Sequence, residues 1–542
     1  MDFTVATSPQ ESSEGSCQWG VLQQQSLEDL EASGFCYPAD TKPRQFRFID
    51  AHAFVHDRRL DIVYATTPTQ FKYCAISYVW HGLRPFSRRN AVFNIKHIRD
   101  ADPVNIDILD HACELTIRKG GRYLWLDLVS IIQQSEDDKN WQIQQMAEVY
   151  RHCICCIVLP GGLQRLARLR SREPTPWMTR HWTFQEAALP PDAQCLFHWN
   201  LGSGFISGWI RITKLTDLLK MNLSNTEVGQ NFVSDSGSSF VLSLSSTMRL
   251  ADGVLGPSRM RNTLLAAMGT DRDLRENAIW GTIFLRSGTI PADAIFSTMG
   301  LLGINLEPLT NFTGPNGRLA ATIRLAQEYL KRNGKAHWLS LVVTRVLDPQ
   351  LRQILYYHPK NWASRSTGMW PILDRRMCTI PHEVQGQLDP YGGQVSIGTL
   401  AIASRTGWFG TSIRLANPPT GTLDDAGYLE INVPSMLLLA GSSRPWRYED
   451  IVHDDPNIPD TYLPDSKDYW LIVLGSVLET HEHEAYQNIV EGEVGFVLDE
   501  HGTDRWHIVK VVVLSQPDRY RHLLRNRSFA IGGPEPINDL FT

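Results

Sequence analysis

Phe71–Trp80 reads FKYCAISYVW, an apolar run that ends at Gly82. Aromatic and β-branched side chains without proline, closed by a glycine, read as a buried strand. Downstream, Ile106, Leu109, Cys113 and Ile117 recur at helical spacing, and Gly120-Gly121 stops that helix. Tyr123–Ile132 (YLWLDLVSII) is a second apolar strand. Ser135 then caps a helix whose first turn carries Glu136, Asp137 and Asp138, with Ile143, Met146, Ala147 and Tyr150 as its buried stripe. Cys153–Leu159 (CICCIVL) is a third strand, closed by Pro160-Gly161-Gly162. Thr175-Pro176 starts a third helix, Pro190-Pro191 ends it, and Gln194–Trp199 makes a fourth strand. Strands alternating with helices require right-handed crossovers between parallel strands, so this is an α/β sheet with helices on both faces. In such sheets the ligand crevice lies beyond the carboxyl ends of the strands.

The chain has 542 residues, too many for one core, so several domains are expected. Residues 1–42 read as a polar tail and 43–205 as the α/β domain. Residues 206–247 read as a Ser-rich loop or linker, 248–339 as helical, and 340–542 as β-rich. The clearest later helix is Leu319–Leu330, with Leu319, Ile323, Ala326 and Leu330 on one face and Gly334 as its stop. Strand-like runs follow at Val395–Ser404, Tyr428–Val433, Tyr469–Leu478, Val494–Leu498 and Trp506–Leu514. The last two form a hairpin across a turn containing His501-Gly502.

A net charge of -6 gives no support to nucleic-acid or anionic-membrane binding. No run of 18 apolar residues exists, so no membrane span is expected, and the polar N-terminus does not read as a secretory signal. Nine cysteines, an odd count without such a signal, argue against a disulfide framework and for a cytoplasmic protein. Cys153, Cys155 and Cys156 lie in a core strand and act as small hydrophobes, so no metal is expected there. His481 and His483 alternate as on an exposed strand, and the sequons at Asn222 and Asn311 carry no weight in a cytosolic chain. P-loop, dinucleotide, nucleophile-elbow, zincin and kinase motifs are absent.

Three segments resemble the signature blocks of the fungal heterokaryon-incompatibility (HET) domain. They are Tyr73–Gly82, Tyr123–Gln133 with its continuation to Tyr150, and Arg180–Glu186 (RHWTFQE). Order and spacing match over about 160 residues, and Asp293–Gly303 echoes a helix that family members often carry. Ser130 stands where the family usually has Cys, which removes any catalytic thiol there, and His181 stands where it usually has Gly. The same blocks are similar, more weakly, to Toll/interleukin-receptor (TIR) domains, which implies a TIR-like, flavodoxin-like, mostly parallel sheet. NAD-cleaving TIR domains carry a Trp-x-x-x-Glu pattern, matched here by Trp182 and Glu186.

Trp182 and Glu186 are four apart and share a helical face. A desolvated carboxylate there would stabilise the oxocarbenium charge that develops when a nicotinamide–ribose bond breaks. The competing reading pairs Glu186 structurally with Arg180 or a loop base. Asp127, in an apolar run, needs a donor or cation; it either binds ribose hydroxyls or anchors a loop. Arg84, Arg88 and Arg89 either hold phosphates or form a solvated loop. Trp80 either stacks on a base or packs in the core, and Ser77 completes the tentative nucleotide site. The resemblance implies a non-self-recognition protein whose HET domain triggers cell death on assembly. It acts either as an NAD nucleosidase, with NAD as substrate and no required cofactor, or as a non-enzymatic oligomerisation module. The implied partners are a trigger protein and further copies of the chain.

Overall fold

The computed structural model describes residues 19–85, 91–168, 175–199, 209–220, 228–233, 239–244, 258–286, 292–306, 317–337, 413–438, 469–479, 493–514 and 521–532, apart from a few single positions. Val395–Ser404, His481, His483, Arg88, Arg89, Asn222 and Asn311 lie outside them. The chain folds as two compact units, residues 1–168 with 190–214, and residues 169–189 with 215–542.

The first unit runs β1 (Trp19–Ser26), α1 (Leu27–Ser33), β2 (Phe46–Asp50), α2 (Ala51–His56), β3 (Arg59–Ala65) and β4 (Tyr73–Tyr78). It continues through β5 (Val92–Phe93), β6 (Val104–Asn105), α3 (Ile106–Arg118), β7 (Tyr123–Trp125), α4 (Asp127–Ser130) and α5 (Glu136–His152) to β8 (Cys155–Leu159). After α6 (Trp182–Ala188), which belongs to the second unit, come β9 (Ala193–Trp199) and β10 (Trp209–Lys214).

The sheet order is β1-β3-β2-β7-β4-β8-β9-β10. β7, β4, β8 and β9 are mutually parallel, and the three expected strands are adjacent. Counted along the chain these four are ordered 2-1-3-4, as in one common doubly wound sheet. The remaining strands pair antiparallel: β2 on β7, β3 on β2, β1 on β3, and β10 on β9. The fold is therefore α/β with a mixed sheet rather than a mostly parallel one.

Several expected boundaries move for identifiable reasons. The second strand stops at Trp125 because side chains capture the next amides: Ser130 Oγ accepts from Leu126 N at 3.2 Å, and Asp127 Oδ1 from Leu128 N at 2.6 Å. That turns the chain into the short α4. Residues 19–33, expected within a polar tail, form β1 and α1, because Leu27 and Leu30 are buried and Ser26 caps the helix. The Ser-rich stretch holds β10, whose register on β9 runs from Trp209↔Trp199 to Lys214↔Gln194, then α7 (Leu215–Lys220) and a β11 (Val228–Val233)–β12 (Ser239–Leu244) hairpin. The buried face of α5 carries Asp138 and Gln142 as well as Met146, Val149 and Tyr150; Ile143 and Ala147 are only half-buried.

In the second unit, α6 packs with α8 (Ser258–Ala267) and α10 (Asp293–Met299), and α10 packs with α9 (Arg272–Leu285) and α11 (Gly317–Lys331). At the end of α11 the left-handed residue is Asn333 (φ 60°), not Gly334; a Cβ on Gly334 would lie 2.5 Å from the Tyr329 ring. The β-rich part comprises β13 (Ile413–Leu415), β14 (Gly421–Leu423), β15 (Tyr428–Leu438), β16 (Tyr469–Glu479), β17 (Glu493–Gly502), β18 (Arg505–Leu514) and β19 (Arg525–Gly532). Strands β16, β17, β18, β19 and β15 pair in that order, and β15 returns to β16, so five strands close on themselves and leave no edge between them. The expected β17–β18 hairpin is present, with Gly502↔Arg505 as its last pair. Gln327 of α11 ties this part to the helices through Leu423 O (3.2 Å) and Asp425 Oδ1 (2.8 Å).

Candidate functional site

The first block delivers its polar residues to the carboxyl end of β4. Trp80 Nε1 donates to Asp127 Oδ2 at 2.7 Å, and Tyr78 OH donates to Asp127 Oδ1. With the Leu128 amide, three donors converge on one carboxylate at the start of α4, directly beyond β7. The lone pairs of Asp127 hold Trp80 and Tyr78 in place.

The turn after Trp80 is pinned reciprocally. Asp102 N donates to Trp80 O at 2.9 Å, and Asp102 Oδ2 accepts from Gly82 N at 2.8 Å. Gly82 lies against the loop after β8, where a Cβ would fall 2.2 Å from Gly161 O and 2.8 Å from Gly162 Cα. Leu83 N donates to Gly161 O at 2.7 Å. The two loops therefore meet backbone to backbone, which only glycine permits. Arg84 follows on the exposed part of this loop. Ser77 is completely buried within β4, opposite Val158 of β8. Ser130 is buried too, and its hydroxyl serves the Leu126 amide.

The third block sits in the second unit. Expected to begin at Thr175-Pro176, its helix starts only at Trp182, after a single 3-10 turn at Trp177–Thr179. Thr183 Oγ1 donates to Trp177 O (2.6 Å) and Arg180 O (3.0 Å), which diverts those carbonyls from a helical ladder. Arg286, 5% exposed, reaches into this turn. It donates to Arg180 O and Thr183 Oγ1, both at 3.0 Å, and to Met178 Sδ at 3.1 Å, and it lies 4.8 Å over the Phe184 ring. His181 Nε2 is 2.7 Å from Arg286 O. Burial pulls Arg286 down to about 9, and the Glu186 charge opposes that fall. Glu186 itself is 7% exposed. Trp182 hydrogen-bonds Asp293 on α10, the echo helix of the sequence. Burial pushes Asp293 up to about 6, against the opposing effects of Trp182 and Arg180.

Trp80, Asp127 and Tyr78 thus form one cluster, and Trp182, Glu186, Arg180, Arg286 and Asp293 another, in different units. Sequence reading missed Tyr78, Asp102, Arg286 and Asp293 as partners. Tyr78 and Asp293 had a signal, Tyr78 within the first signature block and Asp293 on the helix that echoes the family.

For metals, Asp273, Glu276 and His337 place ligand atoms within 4.8 Å of one another. Arg272 Nε (2.8 Å), His337 Nε2 (2.9 Å) and Tyr329 OH already bind Glu276, and Lys335 Nζ (3.3 Å) binds Asp273. Burial disfavours the Glu276 charge, but those partners outweigh it and hold the acid at about 2. This is a charge-compensated network. Cys153, Cys155 and Cys156 are buried and outside any disulfide; burial pushes Cys153 up, and a hydrogen bond with Cys74 together with burial does the same to Cys155.

Parallel strands whose signature residues meet at their carboxyl ends define the first unit as an α/β domain. Residues 73–171 match the family model described as Heterokaryon incompatibility protein (HET), so the chain carries a HET domain there. The match ends before the third block. No curated protein and no solved structure matches the chain.

Proposed function

We propose that this is a fungal non-self-recognition protein whose HET domain triggers cell death on assembly, acting in the cytoplasm through contacts with a trigger protein or further copies of itself. On this reading the domain signals by assembly, and Glu186 is structural. The observation that carries it is the burial of Glu186 beside the buried Arg286 guanidinium, where the carboxylate offsets a charge taken out of water.

TIR-like NAD hydrolysis is the second reading. It draws support from the 2-1-3-4 order of the parallel strands, with Trp80 and Asp127 beyond their carboxyl ends. The test compares wild type with Glu186→Gln in a fungal host, with forced clustering, scoring death and cellular NAD while checking the fold by thermal melting. Assembly signalling predicts death without NAD loss, retained by any folded Glu186→Gln protein. NAD consumption on clustering that a folded Glu186→Gln protein lacks would overturn it.

A further inference from the structure

His52 and His56 stand four apart on α2 and both are exposed. Their ring centroids are 4.4 Å apart, with 53° between the planes. Among the described residues, neither imidazole nitrogen has a hydrogen-bond or ion-pair partner in the protein. The helix that carries them is held firmly. Its cap, Asp50, accepts from His52 N at 3.0 Å and Ala53 N at 3.2 Å, and Arg122 binds the same carboxylate at 2.9 Å. The opposite face, with Ala51 and Phe54, is buried in the core.

We infer that His52 and His56 form a two-imidazole site for a late first-row divalent cation, with its other positions left to water. Two N–metal bonds of ~2.1 Å at a near-tetrahedral angle span about 3.4 Å, which rings at this separation supply by rotation about χ2. Imidazole suits Cu2+, Ni2+ and Zn2+ and is a poor ligand for Mg2+ or Ca2+. Histidines at i and i+4 already share a helical face, so ordering them on binding costs little. Arg122 is taken up by Asp50 and Arg58 by Asp110, which lowers the repulsion a bound cation would meet.

The test uses the full untagged chain. Retention on nickel-charged resin and calorimetric titration with Cu2+, Ni2+ and Mg2+ are compared for wild type, His52→Asn and His56→Asn, with melting as the check of fold. Because the chain has 17 histidines, the readout is the difference between proteins. One equivalent should be lost, or weakened by at least the ~10–100-fold that loss of an outer-shell partner costs, in either variant. Cu2+ should bind more tightly than Ni2+, and Mg2+ should not bind. Electron paramagnetic resonance of one equivalent of Cu2+ should report two equatorial imidazoles in wild type and fewer in each variant. Binding and spectra unchanged in both variants, or no saturable Cu2+ or Ni2+ binding by wild type, would overturn the assignment.

Discussion

Asp138→Asn tests the polar core of the first unit. Arg47 and Asp138 are both 0% exposed and paired at 3.0 and 3.2 Å. Asp138 also accepts from Arg44 N (2.6 Å) and Ile132 N (2.8 Å), while Arg47 donates to Ser130 O (3.2 Å) and lies 5.6 Å from the Tyr37 ring centroid. The pair thus ties β2, and Arg44 just before it, to the start of α5 and the end of the second strand block. The substitution keeps the volume and removes the charge, so a buried guanidinium loses its counter-ion; breaking such a pair costs about 3–5 kcal/mol. Against a total stability of roughly 5–15 kcal/mol, that is a large share. Two units make whole-chain unfolding unsuitable as a two-state measure, so native-state hydrogen exchange over Phe46–Asp50 and the α5 N-terminus is the assay. Exchange there should accelerate by roughly two to three and a half orders of magnitude. Adding Arg47→Met should cost less than the sum of the single changes, with a coupling of about 0.5–3 kcal/mol. A cost under about 1 kcal/mol for Asp138→Asn, or strict additivity, would refute the reasoning.

Gly82→Ala places a Cβ between Gly161 O and Gly162 Cα, both backbone, so neither neighbour can swing aside. It should destabilise the first unit by about 1–3 kcal/mol and speed exchange of the Leu83 amide; unchanged melting and exchange would count against that close approach. Asp293, raised from 3.8 to about 6, binds its proton more tightly folded than unfolded. Its favourable contribution is therefore complete below about pH 4 and is lost as pH rises through 6, a swing of roughly 3 kcal/mol. Asp293→Asn should raise the melting temperature relative to wild type at pH 7.5 and not at pH 4. A difference independent of pH would rule this out.

Much of the first unit is legible in the residues themselves. The apolar runs that became β4, β8 and β9, the Ser135 cap and the Gly120 stop act within a few residues, so local pattern reports them. The second strand looks longer in the sequence than it is, because Asp127 and Ser130 resemble isolated polar interruptions, whereas their oxygens hold the amides of Leu128 and Leu126. The α5 stripe is legible only in part for a similar reason: Met146 and Tyr150 are buried as their spacing predicts, Ile143 and Ala147 only half so. Asp138 and Gln142 are polar yet buried, and hydrophobic periodicity has no term for a carboxylate neutralised by Arg47, 91 positions earlier.

The sequence by itself determined the α/β alternation, the HET signature blocks, the β17–β18 hairpin and the hydrophobic setting of the cysteines, all of which rest on side-chain type at short spacing. Tertiary structure alone decided that Trp80 and Asp127 meet while Glu186 joins Arg286 and Asp293 in another unit. A carboxylate's role is set by which donors reach it and by how much water remains around it. Asp127 meets donors 47 and 49 positions earlier, and the third block's clamp, Arg286, lies 106 positions beyond Arg180. Those partners are brought together by packing, which no local pattern encodes.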